Sequence, residues 1–156
     1  MVKNPMCPSP APSLVKGTGL HSGRPVTVKI SPAAPGTGIV FIHQGERIPA
    51  TIAHLKETNR GTTLEGIAVV EHFLSAAYGI GVYDLEVEVD GDELPALDGS
   101  ALPWVEALEK LRVTGYELRS LELKEPIKII DGLASIEALP YNGFKVDFMV
   151  KFEGIG

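Results

Sequence analysis

Cysteine is nearly absent: Cys7 is the only one in 156 residues. That excludes an internal disulfide framework and predicts a reducing, cytoplasmic setting. Long apolar runs are missing as well. None approaches the roughly 20 residues of a membrane span, and residues 1–5 lack the apolar centre of a signal peptide. Positive charge is not in excess, since 14 Lys and Arg face 20 Asp and Glu for a net charge of −6. Such a chain has no electrostatic reason to bind nucleic acid or an anionic membrane. No internal repeat is visible, and the HExxH pattern of metalloproteases is absent.

What is present is an ordinary globular composition, 44% hydrophobic and 22% charged. It suffices for one good core, with two small domains as the upper limit. Residues 1–12 carry Pro5, Pro8, Pro10 and Pro12, which predicts a disordered, extended lead-in. A strand follows from Ser13 and breaks at Gly17 and Gly19, where His21 sits near the tip of a tight turn. Val26-Thr27-Val28-Lys29-Ile30 and Gly38-Ile39-Val40-Phe41-Ile42 read as strands. Ile48-Pro49-Ala50 reads as a short edge strand, because Pro49 cannot donate to a ladder. His43, beside the Gln44-Gly45 turn, is expected to be exposed, and His54 is a weak ligand candidate. Thr58-Asn59-Arg60-Gly61-Thr62-Thr63 has the composition of a surface loop.

Residues 67–78, Ile-Ala-Val-Val-Glu-His-Phe-Leu-Ser-Ala-Ala-Tyr, read as a helix. Val69, Val70, Phe73, Leu74 and Ala77 recur at helical spacing, and Gly79 and Gly81 are stop signals. Neighbouring helix residues diverge by about 100°, so Glu71 and His72 can both reach one small cleft. An imidazole that holds metal beside a carboxylate that takes a proton is the pattern of metal-assisted hydrolysis. One helical imidazole is not a site, because a catalytic zinc takes three protein ligands.

Residues 83–90 alternate, with Leu85, Val87 and Val89 on one face and Glu86, Glu88 and Asp90 on the other. Asp98-Gly99-Ser100 offers cap side chains to a second helix bearing Trp104, Val105, Leu108 and Leu111. A hairpin turning at Asp131-Gly132 is expected next. Phe144, Val146, Phe148, Val150 and Phe152 then alternate with polar residues and Met149, the strongest strand pattern in the chain. No helix follows to cover that face. The expected class is α+β: a two-layer domain over residues 13–118, then the opening strands of a second, incomplete domain over residues 119–156.

Five motifs in order carry a resemblance. They are Gly17-Thr18-Gly19-Leu20-His21-Ser22-Gly23, Gly36-Thr37-Gly38-Ile39, Val70-Glu71-His72-Phe73-Leu74-Ser75-Ala76-Ala77, Glu93-Leu94-Pro95-Ala96-Leu97-Asp98-Gly99-Ser100-Ala101 and Pro140-Tyr141-Asn142-Gly143-Phe144. Over residues 16–152 the chain resembles the UDP-3-O-acyl-N-acetylglucosamine deacetylases (the LpxC family) of lipid A biosynthesis. The resemblance implies two similar α/β sandwich domains, each a sheet backed by two helices, with the site in the cleft between them. It implies hydrolysis of the sugar N-acetyl group with Zn2+, His72 as a zinc ligand and Glu71 as the general base. Leu20 and His21 would lie close to the cleft, and Arg60, Gly61 and Thr62 would line it.

Some relatives have histidine where Arg60 stands. The family's other zinc ligands, a histidine and an aspartate, lie further downstream than this sequence extends. The resemblance therefore implies a nucleotide-sugar lipid as substrate and an incomplete site, inactive in isolation. The missing ligands would come from a complementary carboxy-terminal polypeptide. Homo-oligomers through the exposed strands are also expected. The alternative function is a non-catalytic fragment or scaffold subunit that keeps the fold.

Overall fold

The computed structural model describes residues 11–59, 61–111 and 122–150. Most of the Pro-rich lead-in, with Cys7, lies outside the described residues, as do Lys151 and Phe152. The chain divides into two units, residues 1–118 and 119–156.

In the first unit the strands are β1 (Ser13–Thr18), β2 (Pro25–Pro32), β3 (Ile39–His43) and β4 (Glu46–Pro49). A single 3₁₀ turn at Ile52–His54 leads to a short β5 (Leu55–Glu57) and β6 (Thr63–Leu64), which pair with each other and flank the expected loop, of which Thr63 alone joins a strand among the described residues. Then come α1 (Glu71–Gly79), β7 (Leu85–Val89) and α2 (Leu102–Glu109). The main sheet has the order β1-β2-β7-β3-β4. All its neighbours are antiparallel except β3 and β7, which run parallel. β4 is an edge, so Pro49 deprives no neighbour of a donor.

The sheet obeys the alternation in its strands. Val26, Val28 and Ile30 on β2 and Leu85, Val87 and Val89 on β7 are buried. The opposite face keeps its charges in pairs across the ladder. Lys29 Nζ lies 2.6 Å from Glu88 Oε1, and an Arg47 guanidinium nitrogen lies 2.8 Å from Glu86 Oε1. The acidic face of β7, the central strand, is thus paired with cations from β2 and β4. On the buried face α1 and α2 close the second layer. Phe41 of β3 meets Phe73 of α1 edge-on at 5.7 Å, and Phe73 meets Trp104 of α2 edge-on at 5.4 Å. Such pairs add about 0.5–1.5 kcal/mol to their area burial. The expected α+β architecture, a sheet backed by two helices, is the one observed.

Several sequence expectations need correction. The helix begins at Glu71 rather than residue 67. Val69 and Val70 are buried as a helical stripe would be, but through a different backbone path. Asp98 does not cap α2. Its carboxylate accepts from the Ser100 amide (2.8 Å) and hydroxyl (2.9 Å), and Ser100 Oγ in turn accepts from Leu102 N at 3.1 Å. These bonds hold the Asp98 pKa below its ordinary value, the Ser100 amide first and its hydroxyl next. His43 is buried rather than exposed, its Nε2 3.2 Å from Asp92 Oδ1.

In the second unit β8 (Ile127–Asp131) and β9 (Ala134–Ala138) form the expected hairpin. Residues 144–150 carry the strongest alternation and yet form no strand. A strand exists only against a neighbour, and no described residue pairs with this stretch. Phe144 is 92% exposed and Phe148 85%.

Candidate functional site

The path into α1 explains why its first two side chains point where they do. Ala68 bridges Glu93 in parallel, donating its N–H to Asp92 O at 2.9 Å and accepting from Leu94 N at 3.0 Å. Ala68 is thus held as a strand, not as a helix turn. Val69 then takes φ +60°, a conformation that costs a β-branched residue about 1–3 kcal/mol and survives only where its surroundings enforce it. Here they do: Ala68 is fixed on one side, and on the other Val70 donates to Thr62 O at 3.3 Å. The strained link turns the chain sharply, and α1 starts two residues later, at Glu71.

Glu71 therefore occupies the first helical turn, where free backbone N–H groups leave partial positive charge. Its Oε2 accepts from the Thr62 amide at 2.9 Å. Its Oε1 lies 3.8 Å from His72 Nε2, too far for a hydrogen bond, and accepts none from the other described residues. Both side chains are partly open to solvent, 36% exposed for Glu71 and 41% for His72. Gly61 borders the same oxygen. A Cβ there would stand 3.4 Å from Glu71 Oε1, on a backbone with φ +156°. Of the loop expected to line the cleft, Gly61 and Thr62 do meet Glu71, while Arg60 lies outside the described residues.

The His21 turn is anchored by a residue that sequence reading passes over. Glu93 is 4% exposed. Its two oxygens accept from His21 N at 3.2 and 3.1 Å, and Oε1 also accepts from Ser22 N at 2.7 Å. Gly19 permits this approach, because a Cβ there would overlap the Glu93 carboxylate and Ser22 Oγ. His21, Ser22, Ala68, Asp92 and Glu93 line an open cleft of about 330 Å³. Leu20 is 63% exposed on the same turn. The fold thus ties the His21 turn to the segment that leads into Glu71 and His72. No hydrogen bond joins the His21 ring to either of them.

Burial pushes the Glu93 carboxyl pKa up, but the Ser22 hydroxyl, the Ser22 and His21 amides and the His21 charge outweigh it. The net result lies below the ordinary value of 4.5. A lowered native pKa means stability that is present above the unfolded value and lost as pH falls through the native one. Glu93→Gln should accordingly cost about 1–3 kcal/mol at neutral pH, since an amide nitrogen would face donors. The gap to the parent should close below about pH 4 in pH-resolved urea unfolding. A gap that stays constant into acid would show that the charge of Glu93 is not what holds the turn.

The remaining histidines stand apart. His54 Nδ1 lies 2.8 Å from Thr51 Oγ1 on the surface, and buried His43 faces Asp92 and Val89 O. Among the described residues no three His, Cys, Asp or Glu side chains converge to hold a metal ion. No helix among them is long and apolar enough to cross a membrane.

Comparison with known proteins gives this geometry its context. The family model for UDP-3-O-acyl N-acetylglycosamine deacetylase matches residues 11–156. A UDP-3-O-acyl-N-acetylglucosamine deacetylase of Vibrio atlanticus is 40% identical over 147 residues, 87% of this chain and 48% of the relative. The proteins of the same name from Citrifermentans bemidjiense and Syntrophotalea carbinolica are each 34% identical, over 87% and 91% of this chain and 48% and 49% of their own lengths. The chain spans about half the length of the curated relatives it matches. With a match across nearly all of its residues, it belongs to the UDP-3-O-acyl N-acetylglycosamine deacetylase family.

Proposed function

We propose that this chain carries the general base and one metal ligand of a Zn2+-dependent amide hydrolase. Its substrate would be UDP-3-O-acyl-N-acetylglucosamine, deacetylated during lipid A biosynthesis in the cytoplasm. The observation that carries the reading is the Glu71 carboxylate, held through one oxygen by the Thr62 amide, with the other unbonded among the described residues beside half-exposed His72. The donor chemistry fits zinc in part: His72 would be one ligand, and the others must come from outside the described residues. When bound, Zn2+ would acidify water and polarise the acetamide carbonyl.

The chain's own residues account for the proton. Water attacking the acetamide must lose one, and Oε1 of Glu71 is the acceptor because Oε2 is engaged with Thr62 N–H. That amide also stops the carboxylate from rotating, so the base is oriented before substrate arrives. The strained Val69 link fixes the helix start, and with it the separation of Glu71 from His72. The Glu93 clamp keeps the His21 turn beside the Ala68 segment, where it can border the bound sugar nucleotide. The alternative, a non-catalytic scaffold subunit, draws on one observation, the exposed apolar residues of the second unit.

The test is acetate release from the acylated nucleotide sugar. The isolated chain should bind zinc weakly and release no appreciable acetate. Combination with a polypeptide matching the uncovered half of the Vibrio atlanticus relative should restore release. Tight stoichiometric zinc and turnover by the chain alone would overturn the shared-site reading.

A further inference from the structure

The entry to α1 leans on a histidine far from it in sequence. His43 ends β3 and is 9% exposed. Its ring reaches across to β7 and the turn that follows it. Nδ1 lies 3.4 Å from Val89 O, and Nε2 lies 3.2 Å from Asp92 Oδ1. Both neighbours are acceptors, so the ring serves them as a donor. Another side of the ring meets Gly66, where a Cβ would stand 3.6 Å from His43 Cδ2. Gly66, at φ +83°, sits in the tight turn closed by Leu64 N–H on Ile67 O at 2.9 Å.

Two points on the path into α1 thus meet one imidazole. Gly66 touches it directly. Ala68 meets it through Asp92, whose carbonyl accepts the Ala68 N–H at 2.9 Å while its carboxylate faces Nε2. Val69, at φ +60°, follows at once and keeps its strain only while Ala68 stays fixed. The residues beside Asp92 have other ties. Asp90 Oδ1 accepts from Thr27 N at 2.6 Å, and Glu93 accepts from the His21 and Ser22 amides. Those bonds hold the turn on either side of Asp92, and the imidazole holds Asp92 itself. A hydrophobe of similar bulk would fill the space beside Gly66 and leave the carboxylate without its donor.

We propose that His43 is a positioning residue: it braces Asp92 and Gly66, and through the Ala68 bridge it holds the strained entry that sets Glu71 against Thr62. Its effect on catalysis rests on the deacetylase reading; the brace itself does not.

Two measurements separate the two. Native-state amide exchange on the 156-residue chain reads the brace. His43→Leu should speed exchange at Ala68 N–H and Val70 N–H by at least about threefold relative to Leu85 N–H, which is bonded to Gly38 O at 3.0 Å. His43→Gln, whose amide can donate to Asp92 as Nε2 does, should recover most of the protection. Equal acceleration at Ala68 and Leu85, unchanged exchange at Ala68, or a glutamine variant no better than leucine would each overturn the proposal. Steady-state acetate release by the completed enzyme reads the consequence. His43→Leu should lower kcat by about three- to tenfold with KM within about twofold of the parent, and His43→Gln should recover most of the loss. A leucine variant with parent kcat, despite faster exchange at Ala68, would overturn the link from brace to base. A parent enzyme that releases no acetate would sink the deacetylase reading, and the exchange result would still decide the brace.

Discussion

Replacing Glu71 with glutamine is expected to lower kcat of the completed enzyme by about 10²–10⁴-fold, the usual contribution of a positioned general base. The substitution is informative because it removes little else. Glutamine has the shape of glutamate, and its carbonyl oxygen can still accept from Thr62 N–H in place of Oε2. Glu71 is also 36% exposed, so folding stability should change by no more than about 0.5 kcal/mol. What disappears is the free oxygen able to take a proton. KM should change far less than kcat, because the proton moves only in the transition state. The measurement is steady-state acetate release by this chain joined with a polypeptide supplying the other half of the family's length. His72→Ala provides the contrast: it should lower zinc occupancy, and added zinc should recover part of the rate, whereas no zinc concentration should rescue Glu71→Gln. A glutamine variant retaining near-parent kcat would remove Glu71 from the proton step.

Which parts of this arrangement can be read from sequence follows from the distance over which each signal acts. The alternation of residues 85–89 is local, and the strand it predicts forms. The Phe73 and Ala77 stripe is local too, and α1 forms. The start of that helix could not be read, because Val69 and Val70 are buried by a strained turn that mimics helical spacing. Nothing local marks Glu93, because its partners lie about 70 residues earlier in the chain. Only the His21 and Ser22 amides that meet it show why a carboxylate is needed there. His43 reads as a surface residue of a turn, yet it is buried, with Val89 O and Asp92, both distant in sequence, at its ring. Residues 144–150 show the converse. Their pattern is the most regular in the chain, yet a strand is a relation between two segments, and the described residues contain only one of them.

Trp104→Ala should cost about 3–5 kcal/mol, the range for removing a large aromatic from a packed core. Trp104 is 1% exposed on α2 and meets Phe73 edge-on, and Phe73 meets Phe41 of the sheet. The three rings connect both layers, so an alanine would leave a cavity between the helices and take away the contact that seats α1. Domains of this size have about 5–15 kcal/mol in total, so the variant should be near the limit of folding. Its urea midpoint, followed by circular dichroism because the only tryptophan is gone, should fall steeply. Leu102→Ala on the same helix removes a side chain that is 59% exposed and should change stability by no more than about 0.5 kcal/mol. Since Glu71 and His72 open the helix that carries Phe73, the tryptophan variant should also lose zinc occupancy in the completed enzyme under conditions where it remains folded, although neither side chain touches residue 104. A loss of less than about 1 kcal/mol would mean that the layer above the sheet does not depend on this contact, and that the position of the base is set by the loops around Thr62 and Glu93 alone.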